Sequence, residues 1–328
     1  MSNSKLESEF QIIKQYFDTH QSKSNRIIKG IGDDAAVIDI TEQSTLVISV
    51  DTLISGVHFP SVTTAYDIGY KSLAVNLSDL AAMGASPSWF TLALTMPENN
   101  SSWVKAFSHG LFDLAQLFNI DLIGGDTTKG QLSITLQIAG YADKNNIMYR
   151  HSAQFDDDIY TSGYIGDAGA GLLAIMNDYD LDSNNTKYLL NRLNQPSPRV
   201  ELGQQIALVA NACIDVSDGL IADLGHIIGL SNCGAVINVE QLPISEQLKS
   251  SGFVADWQQL ALGSGDDYEL CFTANKKHRV EIENISKQLN VPITKIGTVD
   301  NEKTIRCYLN NKPYRYQTSG YEHFKEQK

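Results

Sequence analysis

The sequence is poor in cysteine and contains no long hydrophobic run. Its 328 residues include four cysteines, which stand far apart and form no Cys-x-x-Cys pair for zinc binding or disulfide exchange. We therefore expect buried thiols. Every apolar stretch is interrupted before the ~20 residues that a membrane helix requires. Residues 1–20 also lack the pattern of a signal peptide. These absences predict a globular, cytoplasmic protein.

Positive charge is also scarce. The chain has 25 Lys and Arg against 38 Asp and Glu, a formal net charge of −13. This balance has the wrong sign for a nucleic-acid or anionic membrane surface, so neither is expected as a partner. The chain has no Gly-Lys dipeptide for a Walker loop and no Gly-x-Ser-x-Gly elbow. Any ATP chemistry must use another design, and no covalent nucleophile is indicated.

Strand and helix patterns alternate along the chain. Apolar side chains recur at helical spacing over 66–83, where Asp67 is a plausible cap, and again over 102–118. Residues 46–50 have the pattern of a short strand, and 7–17 that of an amphipathic docking helix. A polar, charged segment near 145–155 marks a domain boundary. The alternation predicts two α/β or α+β domains.

Single aspartates stand at six places where an apolar segment meets a turn. Carboxylates that converge on one cavity repel each other unless a hard cation binds between them, so the pattern indicates magnesium and phosphate chemistry. The alternative is that each aspartate only bonds the backbone of its turn, and Asp218 could simply be the N-cap of the next helix. Six such places together favour the first interpretation. They are 30–34 (GIGDD), 49–52 (SVDT), 76–79 (NLSD), 124–127 (GGDT), 214–219 (IDVSDG) and 263–268 (GSGDDY).

Other polar residues have two readings each. Asn76 and Asp79 lie three apart on a predicted helix, so both should face inward, where an aspartate needs a partner. His58 lies in a glycine-containing loop and could meet a ligand, although a loop histidine is more often solvated. The glycine-rich segment 163–171 weakly resembles a phosphate cradle, but close helix packing explains it better. Lys71 is expected at the surface.

Taken in order, these segments resemble the thiamine-monophosphate kinase family, whose superfamily includes aminoimidazole ribonucleotide synthetase and selenophosphate synthetase. The likeness spans nearly the whole chain. The first two aspartate segments are shared by the superfamily, whereas the helix sequence and the C-terminal tail are characteristic of this family. The matching segments are 30–37 (GIGDDAAV), 51–53 (DTL), 75–85 (VNLSDLAAMGA), 123–128 (IGGDTT), 196–199 (PSPR), 215–220 (DVSDGL), 267–270 (DYEL) and 320–324 (GYEHF).

The resemblance implies a Mg²⁺-dependent kinase. The γ-phosphoryl of ATP would pass directly, in line, to thiamine monophosphate, giving thiamine diphosphate in the last step of its biosynthesis without a phosphoenzyme. Two alternatives stay open: another ATP-dependent synthetase of the superfamily, or a silent nucleotide-binding regulator. His58 and the tail around Tyr321 argue against the synthetase, and retention of six aspartates argues against the regulator.

The resemblance also assigns site residues. No residue acts as a covalent nucleophile, and the aspartate cluster assists transfer through its metals. Metal positions fall on Asp34, Ser49, Val50, Asp51, Asp79, Asp126, Asp215 and Asp218. Nucleotide contacts fall on Gly125, Asp126, Arg150 and Ser217, and substrate contacts on His58, Asp266 and Tyr321. Three departures bear on affinity. Asp266 stands where the family usually has a glutamate. Val50 stands where it often has a threonine, so only the backbone carbonyl of Val50 can reach a metal. A tryptophan of the family's tail is missing, which leaves Tyr321 as the stacking partner of the thiamine ring.

The implied fold is a two-domain α/β (α+β) fold like that of aminoimidazole ribonucleotide synthetase. Residues 1–27 would form a helical leader, and 28–145 an N-terminal domain with a mixed sheet and helices that binds ATP and Mg²⁺ and dimerises. Residues 150–310 would form a C-terminal α/β domain, and 311–328 a tail contributing to the substrate site. The family pattern implies a homodimer paired through the N-terminal sheets, with ATP and thiamine monophosphate as its ligands.

Overall fold

The computed structural model describes residues 13–18, 26–29, 37–38, 44–177, 183–252 and 256–317. The chain divides into two units. One takes in Met1–Leu80 and Ser86–Lys144, and the other Ala81–Ala85 and Asn145–Lys328. Each unit has its own sheet with helices interleaved along the sequence, which confirms the two-domain α+β class.

The first unit is built on a four-stranded sheet within the described residues, ordered β3-β6-β4-β5. Strands β4 and β5 run parallel, and the other pairs are antiparallel. A separate ribbon pairs β1 (Ile27–Lys29) with β2 (Val37–Ile38). The sheet strands are β3 (Thr45–Ile54), β4 (Ser86–Met96), β5 (Asp121–Lys129) and β6 (Ser133–Ala142), and the helices are α1 (Ala65–Ala82) and α2 (Ser101–Leu117).

The two faces of this sheet differ in burial because successive side chains of a strand point to opposite sides. In the register of β3, β6 and β4, Leu53 shares a face with the buried side chains of Leu92 and Leu136. The opposite face exposes Ile48 and Val50, whose side chains are 52% and 59% accessible. One face therefore carries the core of the unit, and part of the other is open and apolar.

The position of α1 is set by its start and by a close helix crossing. The Thr64 hydroxyl accepts from the Asp67 amide (3.1 Å), which is an N-cap bond, and donates to the Asp67 carboxylate (2.7 Å). The prediction of Asp67 as the cap was wrong, because Thr64 precedes the helix and fills that place. A Cβ on Gly110 would lie 1.9 Å from the Tyr66 carbonyl oxygen. Glycine at this position thus allows α2 to pack directly on the α1 backbone.

Only part of the predicted docking helix falls within the described residues. It is a single π-helical turn, Ile13–Phe17. Phe17 is buried, with its ring centroid 6.5 Å from that of Phe112 on α2. The turn therefore packs on its own unit, and the rest of the predicted segment 7–17 lies outside the described residues.

The second unit contains a seven-stranded sheet in the described part of the chain, ordered β13-β12-β9-β11-β7-β10-β8. Only the β9–β12 pair is parallel. The strands are β7 (Asp158–Ser162), β8 (Ala210–Asp215), β9 (Gly234–Asn238), β10 (Leu270–Ala274), β11 (Ile293–Asp300), β12 (Ile305–Leu309) and β13 (Lys312–Tyr314). The helices are α3 (Asp167–Met176), α4 (Asn184–Asn194), α5 (Val200–Ile206), α6 (Leu220–Ser231), α7 (Glu246–Lys249), α8 (Trp257–Gly263) and α9 (Arg279–Leu289).

Strands β7, β8 and β10 meet at one side of this sheet, and β7 and β10 are buried along their whole length. The four cysteines are free and buried, as predicted. Helix α3 packs on α4, which favours helix packing as the explanation of the glycine-rich segment 163–171. Of the residues that the structure describes, no helix is long and apolar enough to cross a membrane.

We expect the Asp158 carboxylate to stabilise this unit at neutral pH and to lose that effect in acid. Asp158 is paired with Arg279 (2.5 and 2.9 Å) and Lys295 (2.6 Å). Burial alone would raise its pKa, but the two cations outweigh burial and lower it from 3.8 to about 2. A carboxylate whose pKa is lower in the folded state stabilises the fold at pH values above its pKa in the unfolded chain. This stabilisation is lost as the pH falls through its pKa in the folded state. Asp158→Asn should therefore lower the unfolding temperature at pH 7, with the difference shrinking between pH 4 and pH 2.

The control is Asp156→Asn, which removes a surface carboxylate paired with Lys276. Because exposed ion pairs contribute little, thermal unfolding of this variant should follow the wild type at every pH. If the difference in unfolding temperature between the wild type and Asp158→Asn stayed constant from pH 7 to pH 2, the stabilising role of the ionised Asp158 would be contradicted.

Candidate active site

In the first unit, two carboxylates and a hydroxyl come together between β3 and α1. Ser49 and Asp51 share one face of β3 because they are two residues apart, and the Ser49 hydroxyl donates to the carboxylate of Asp79 on α1. The pKa of Asp51 is raised from 3.8 to about 7 by burial, then by the Asp79 charge and a hydrogen bond with Asp79. Two carboxylates this close repel each other when both are ionised, and a bound cation would relieve that repulsion.

The donor set fits Mg²⁺ bound together with a polyphosphate. Mg²⁺ usually takes one or two carboxylates and completes its shell with water and phosphate oxygens. Asp51, Asp79 and Ser49 offer hard oxygen donors of this kind. Across the described ranges, no group of three or more His, Cys, Asp or Glu side chains could hold a metal ion by itself.

Asn76 lies one turn before Asp79 on α1 and is fully buried, as its inward position predicts. Its amide nitrogen donates to the Ser72 carbonyl (3.0 Å), which bonds it to its own helix. Its Oδ1 atom has no hydrogen-bond partner among the described residues. A buried acceptor without a donor is costly, so this oxygen is a polar group beside the carboxylate pair that the fold itself does not satisfy.

The structure does not bring every predicted metal residue to this pair. Asp126, preceded by Gly125, lies on β5 at the far edge of the sheet from β3 and pairs with Ala93. The sheet register places the Asp126 side chain on the face of Val50 and not on that of Asp51. Three strand spacings, about 14 Å, separate β5 from β3. Val50 belongs to a strand at the edge of this sheet as far as the described residues show it, and an edge strand presents backbone carbonyls on its outer side. The metal roles of Asp126 and Val50 stay predictions.

His58 is held by a network that fixes its ring. The Ile54 amide donates to His58 Nδ1 (3.0 Å), and the His58 amide donates back to the Ile54 carbonyl (3.0 Å). Because Nδ1 accepts, the ring proton is on Nε2, and the half-buried imidazole presents an N–H donor. The Lys71 ammonium donates to the His58 carbonyl (3.4 Å). The prediction of Lys71 as a surface residue was wrong, since it is 1% exposed.

In the second unit, two of the aspartate segments lie side by side where β8 and β10 meet. The Val216 amide donates to the Glu269 carbonyl (2.8 Å), and the Tyr268 amide donates to the Val216 carbonyl (2.9 Å). The Asp266 amide donates to the Ser217 carbonyl (2.9 Å). Main-chain bonds therefore extend the strand pairing beyond Asp215 and join the 214–219 and 263–268 loops into one structure.

The 214–219 loop is also fixed from the helix that follows it. One oxygen of Asp223, Oδ2, accepts hydrogen bonds from the amides of Ser217 (3.0 Å), Asp218 (3.0 Å) and Gly219 (3.1 Å). Asp218 is not the N-cap of α6, because Gly219 occupies that position. Burial, and then the Asp218 charge, raise the pKa of Asp223 to about 7 against the three amides that lower it.

The 263–268 loop has an uncommon backbone. Asp266 and Tyr268 have φ angles of 68° and 49°, a left-handed region that costs a residue other than glycine about 1–2 kcal/mol. Asp267 between them accepts from the amides of Gly166 (2.6 Å) and Ala168 (3.2 Å) at the start of α3. The surrounding structure holds this conformation, which presents half-buried Asp266 beside Ser217.

Glu269, fully buried behind this loop, binds two arginines. Its carboxylate accepts two hydrogen bonds from Arg199 (both 2.6 Å), one from Arg192 (2.8 Å) and one from the Ser162 hydroxyl (2.6 Å). Burial would raise the pKa of Glu269, but the arginines, Arg199 first, lower it. Sequence reasoning missed this group. Arg199 and Glu269 both lie in segments that resemble the family, 196–199 and 267–270. This resemblance was the one indication in the sequence that the two residues matter.

Gly265 is required by the contact between the two loops. A Cβ at this position would lie 2.0 Å from the Ser217 carbonyl oxygen. We expect Gly265→Ala to separate the loops and to lower the free energy of unfolding by about 1–3 kcal/mol, measured by urea denaturation. Gly229→Ala on α6 is the control, because nothing lies within 4 Å of the added Cβ. That variant should be neutral or stabilised by up to about 1 kcal/mol; equal losses in both would contradict the argument.

The remaining predicted residues are less constrained. Arg150 is exposed and follows Tyr149, which forms an isolated bridge with Ala212 and so places Arg150 beside β8. Asp34 and Tyr321 lie outside the described residues. Their predicted roles as metal ligand and substrate contact, like the nucleotide role of Arg150, stay predictions.

Comparisons with known proteins extend these observations. Residues 32–142 match the family described as AIR synthase related protein, N-terminal domain, and 156–310 match AIR synthase related protein, C-terminal domain. The thiamine-monophosphate kinase of Buchnera aphidicola subsp. Schizaphis graminum is 44% identical over 321 residues, 97% of this chain and 99% of the relative.

Solved structures agree. A crystal structure of thiamine-monophosphate kinase from Stenotrophomonas maltophilia K279a superposes with a TM-score of 0.84 at 43% identity and covers 89% of this chain and 93% of its own. A structure of AaThiL complexed with AMPPCP and TMP has a TM-score of 0.78 at 28% identity, with 99% of both chains covered. With both domain families matched in order and this identity over nearly its full length, the chain belongs to the thiamine-monophosphate kinase family.

Proposed function

We propose that this chain is the kinase that transfers the γ-phosphoryl group of ATP to thiamine monophosphate, forming thiamine diphosphate and ADP. The observation that carries the proposal is the buried pair of Asp51 and Asp79, bridged by Ser49, in a chain of this family. AaThiL, similar to this chain over 99% of its length, was solved with AMPPCP and TMP. Family and site chemistry therefore point to the same pair of phosphate ligands.

Charge is the main obstacle to this reaction, because the acceptor and donor are both phosphate anions. Bound Mg²⁺ would neutralise phosphate oxygens and stabilise the charge of the transferring group. The acceptor phosphate is already ionised near neutral pH and needs no strong general base. The protein's part is then to position two anions in line, which suits a site made of rigidly held aspartates.

We assign metal ligation in the first unit to Asp34, Ser49, Val50, Asp51, Asp79 and Asp126, and in the second unit to Asp215 and Asp218. The nucleotide would contact Gly125, Asp126, Arg150 and Ser217. Thiamine monophosphate would contact His58, Asp266 and Tyr321. The Nε2–H group of His58 is a donor of the kind that a phosphate oxygen accepts, and its ring is already fixed by the Ile54 amide.

The open face of the first sheet is proposed to pair two copies of the chain. Ile48 and Val50 are more than half accessible there on adjacent positions of one face of β3. Neighbouring exposed apolar side chains on a sheet face favour association, and a two-fold dimer is the commonest form of oligomer. The cytoplasmic location expected from the sequence is part of the same proposal.

Turnover is the test of this function. Purified protein is incubated with Mg-ATP and thiamine monophosphate, and thiamine diphosphate and ADP are separated by chromatography. We expect equal amounts of both products, and none when EDTA replaces Mg²⁺ or when thiamine replaces its monophosphate. Binding of AMPPCP without any product would instead support the silent regulator. ADP released without thiamine diphosphate would point to a different acceptor, as in the synthetase alternative.

A further inference from the structure

We propose that Asp223 is a positioning residue that closes the backbone amides of the 214–219 loop to bare phosphate, so that the acidic side chains of this loop meet nucleotide only through a cation. Its carboxylate takes the three amides that a phosphate would otherwise use. This inference rests on the proposed function, because it concerns how the same site meets ATP. It adds a residue outside the set of ligands proposed above.

The three amides form an anion-binding turn, and the anion that they bind is the Asp223 carboxylate of the protein itself. Consecutive amides at Ser217, Asp218 and Gly219 converge on one oxygen of Asp223 within 3.0–3.1 Å. They stand at the N-terminus of α6, a 12-residue helix, where backbone amides and the helix dipole favour negative charge. Asp223 is 2% exposed, so a ligand can reach these amides only by displacing it.

The carbonyls of the loop are used as well. Those of Val216 and Ser217 accept the amides of Tyr268 and Asp266 (both 2.9 Å). Amides on one side and carbonyls on the other are thus held within the protein. The groups that the loop can direct toward a ligand are side chains, chiefly those of Asp215, Ser217 and Asp218, and two of these are acidic. Phosphate oxygens can approach such a set only with a cation between them.

The start of α3 shows the same arrangement independently. There the carboxylate of Asp267 takes the amides of Gly166 (2.6 Å) and Ala168 (3.2 Å), within the glycine-rich segment 163–171. That segment is the one for which the sequence weakly suggested a phosphate cradle. The amides at the starts of α3 and α6 are therefore both taken by internal carboxylates, which is consistent with nucleotide binding that depends on a cation.

Hydrogen exchange of the wild-type protein tests the proposal without any variant or turnover. We expect the amides of Ser217, Asp218 and Gly219 to exchange at least about a hundredfold more slowly than in an open peptide when no ligand is present. Adding Mg-AMPPCP should slow these three amides by no more than it slows the protected amides of β10, because binding stabilises the unit as a whole. Fast exchange without ligand, followed by protection on adding Mg-AMPPCP, would mean that these amides bind phosphate and would overturn the proposal.

Two substitutions at Asp223 separate positioning from general stability. The readout is the Mg²⁺ concentration that gives half of the thermal stabilisation by AMPPCP, which needs no catalysis. Asp223→Ala should raise it by about 10–100-fold, the usual cost of losing a group that orients metal ligands. Asp223→Asn keeps one acceptor oxygen for the amides and should stay within about threefold of the wild type.

Asp157→Ala is the matched control. Asp157 is equally buried in the same unit and accepts from the Gln154 amide (2.9 Å) and the Asn211 side chain (2.9 and 3.0 Å). We expect it to lower the unfolding temperature without changing the half-saturating Mg²⁺ concentration. Equal Mg²⁺ dependence in Asp223→Ala and Asp157→Ala would overturn the proposal. If Asp223→Ala does not fold, the exchange measurement on the wild type still decides.

Discussion

Replacing Asp79 with asparagine is expected to lower kcat by about a thousandfold, the several kcal/mol that a catalytic metal commonly supplies. The same change should leave the fold as stable as before or more stable. Asp79 repels Asp51 across a partly buried space, and the neutral amide removes that repulsion while it can still accept from Ser49. Steady-state kinetics and thermal unfolding of the same preparation check both halves.

The pH dependence gives an independent reading of the same pair. The folded-state pKa of Asp51 is about 7, above its ordinary 3.8, so the metal-free folded protein binds more protons than the unfolded chain between these values. Its contribution to stability is therefore complete below about pH 4 and is lost as the pH rises through about 7. Asp79→Asn should flatten this slope, since it removes the second and third causes of the shift and leaves burial.

Asp113→Asn is the control for Asp79→Asn. Asp113 is an exposed aspartate on α2 of the same unit, and it accepts from the Tyr66 hydroxyl (2.8 Å). Neither its kcat nor its pH slope should change. A loss of less than about tenfold in Asp79→Asn, or a marked drop in its unfolding temperature, would remove Asp79 from the metal site.

Glu269→Ala should be the most destabilising single change in the second unit, costing about 3–5 kcal/mol of unfolding free energy. The substitution leaves Arg192 and Arg199 inside the protein without the carboxylate that both bind. It also removes the acceptor of the Ser162 hydroxyl, so β7 loses a contact with the residue that precedes β10. Urea denaturation with a two-state fit measures the effect.

An exposed pair serves as the comparison. Glu246→Ala removes the partner of Lys249 at 3.0 Å, where both side chains are substantially accessible, and should cost less than about 1 kcal/mol. Similar losses in the two variants would show that the buried cluster around Glu269 contributes no more than a surface ion pair. Arg199→Lys should fall between them, because an ammonium cannot reproduce the two-point contact of the guanidinium.

Local patterns in the sequence were enough to predict the elements that carry the first site. Helical spacing located α1 and α2 to within one or two residues, and the apolar run 46–50 located the first half of β3. The same spacing predicted the buried position of Asn76 and placed Asp79, which is half-buried, on the side of α1 that meets Ser49. These predictions succeed because periodicity is a property of neighbouring residues and does not depend on distant partners.

What the sequence did not predict depends on pairings between distant residues or on weak local patterns. Ser162 and Glu269 are 107 positions apart, and nothing near either residue indicates the contact. Asp223 has the ordinary appearance of a helix aspartate, and only the loop folded onto it shows its three amides. Helix α7 has only four residues, which is too short for apolar spacing to indicate a helix.

The internal carboxylates at α3 and α6 have a consequence for inhibitor chemistry. Against Walker-loop ATPases, a compound gains affinity when a sulfonate or similar anion sits on a helix N-terminus. Here Asp267 and Asp223 already occupy those amides, so an added anionic group gains nothing from them. Compounds that chelate a divalent ion and carry it to the aspartates would suit this site better than compounds that rely on an anionic group alone.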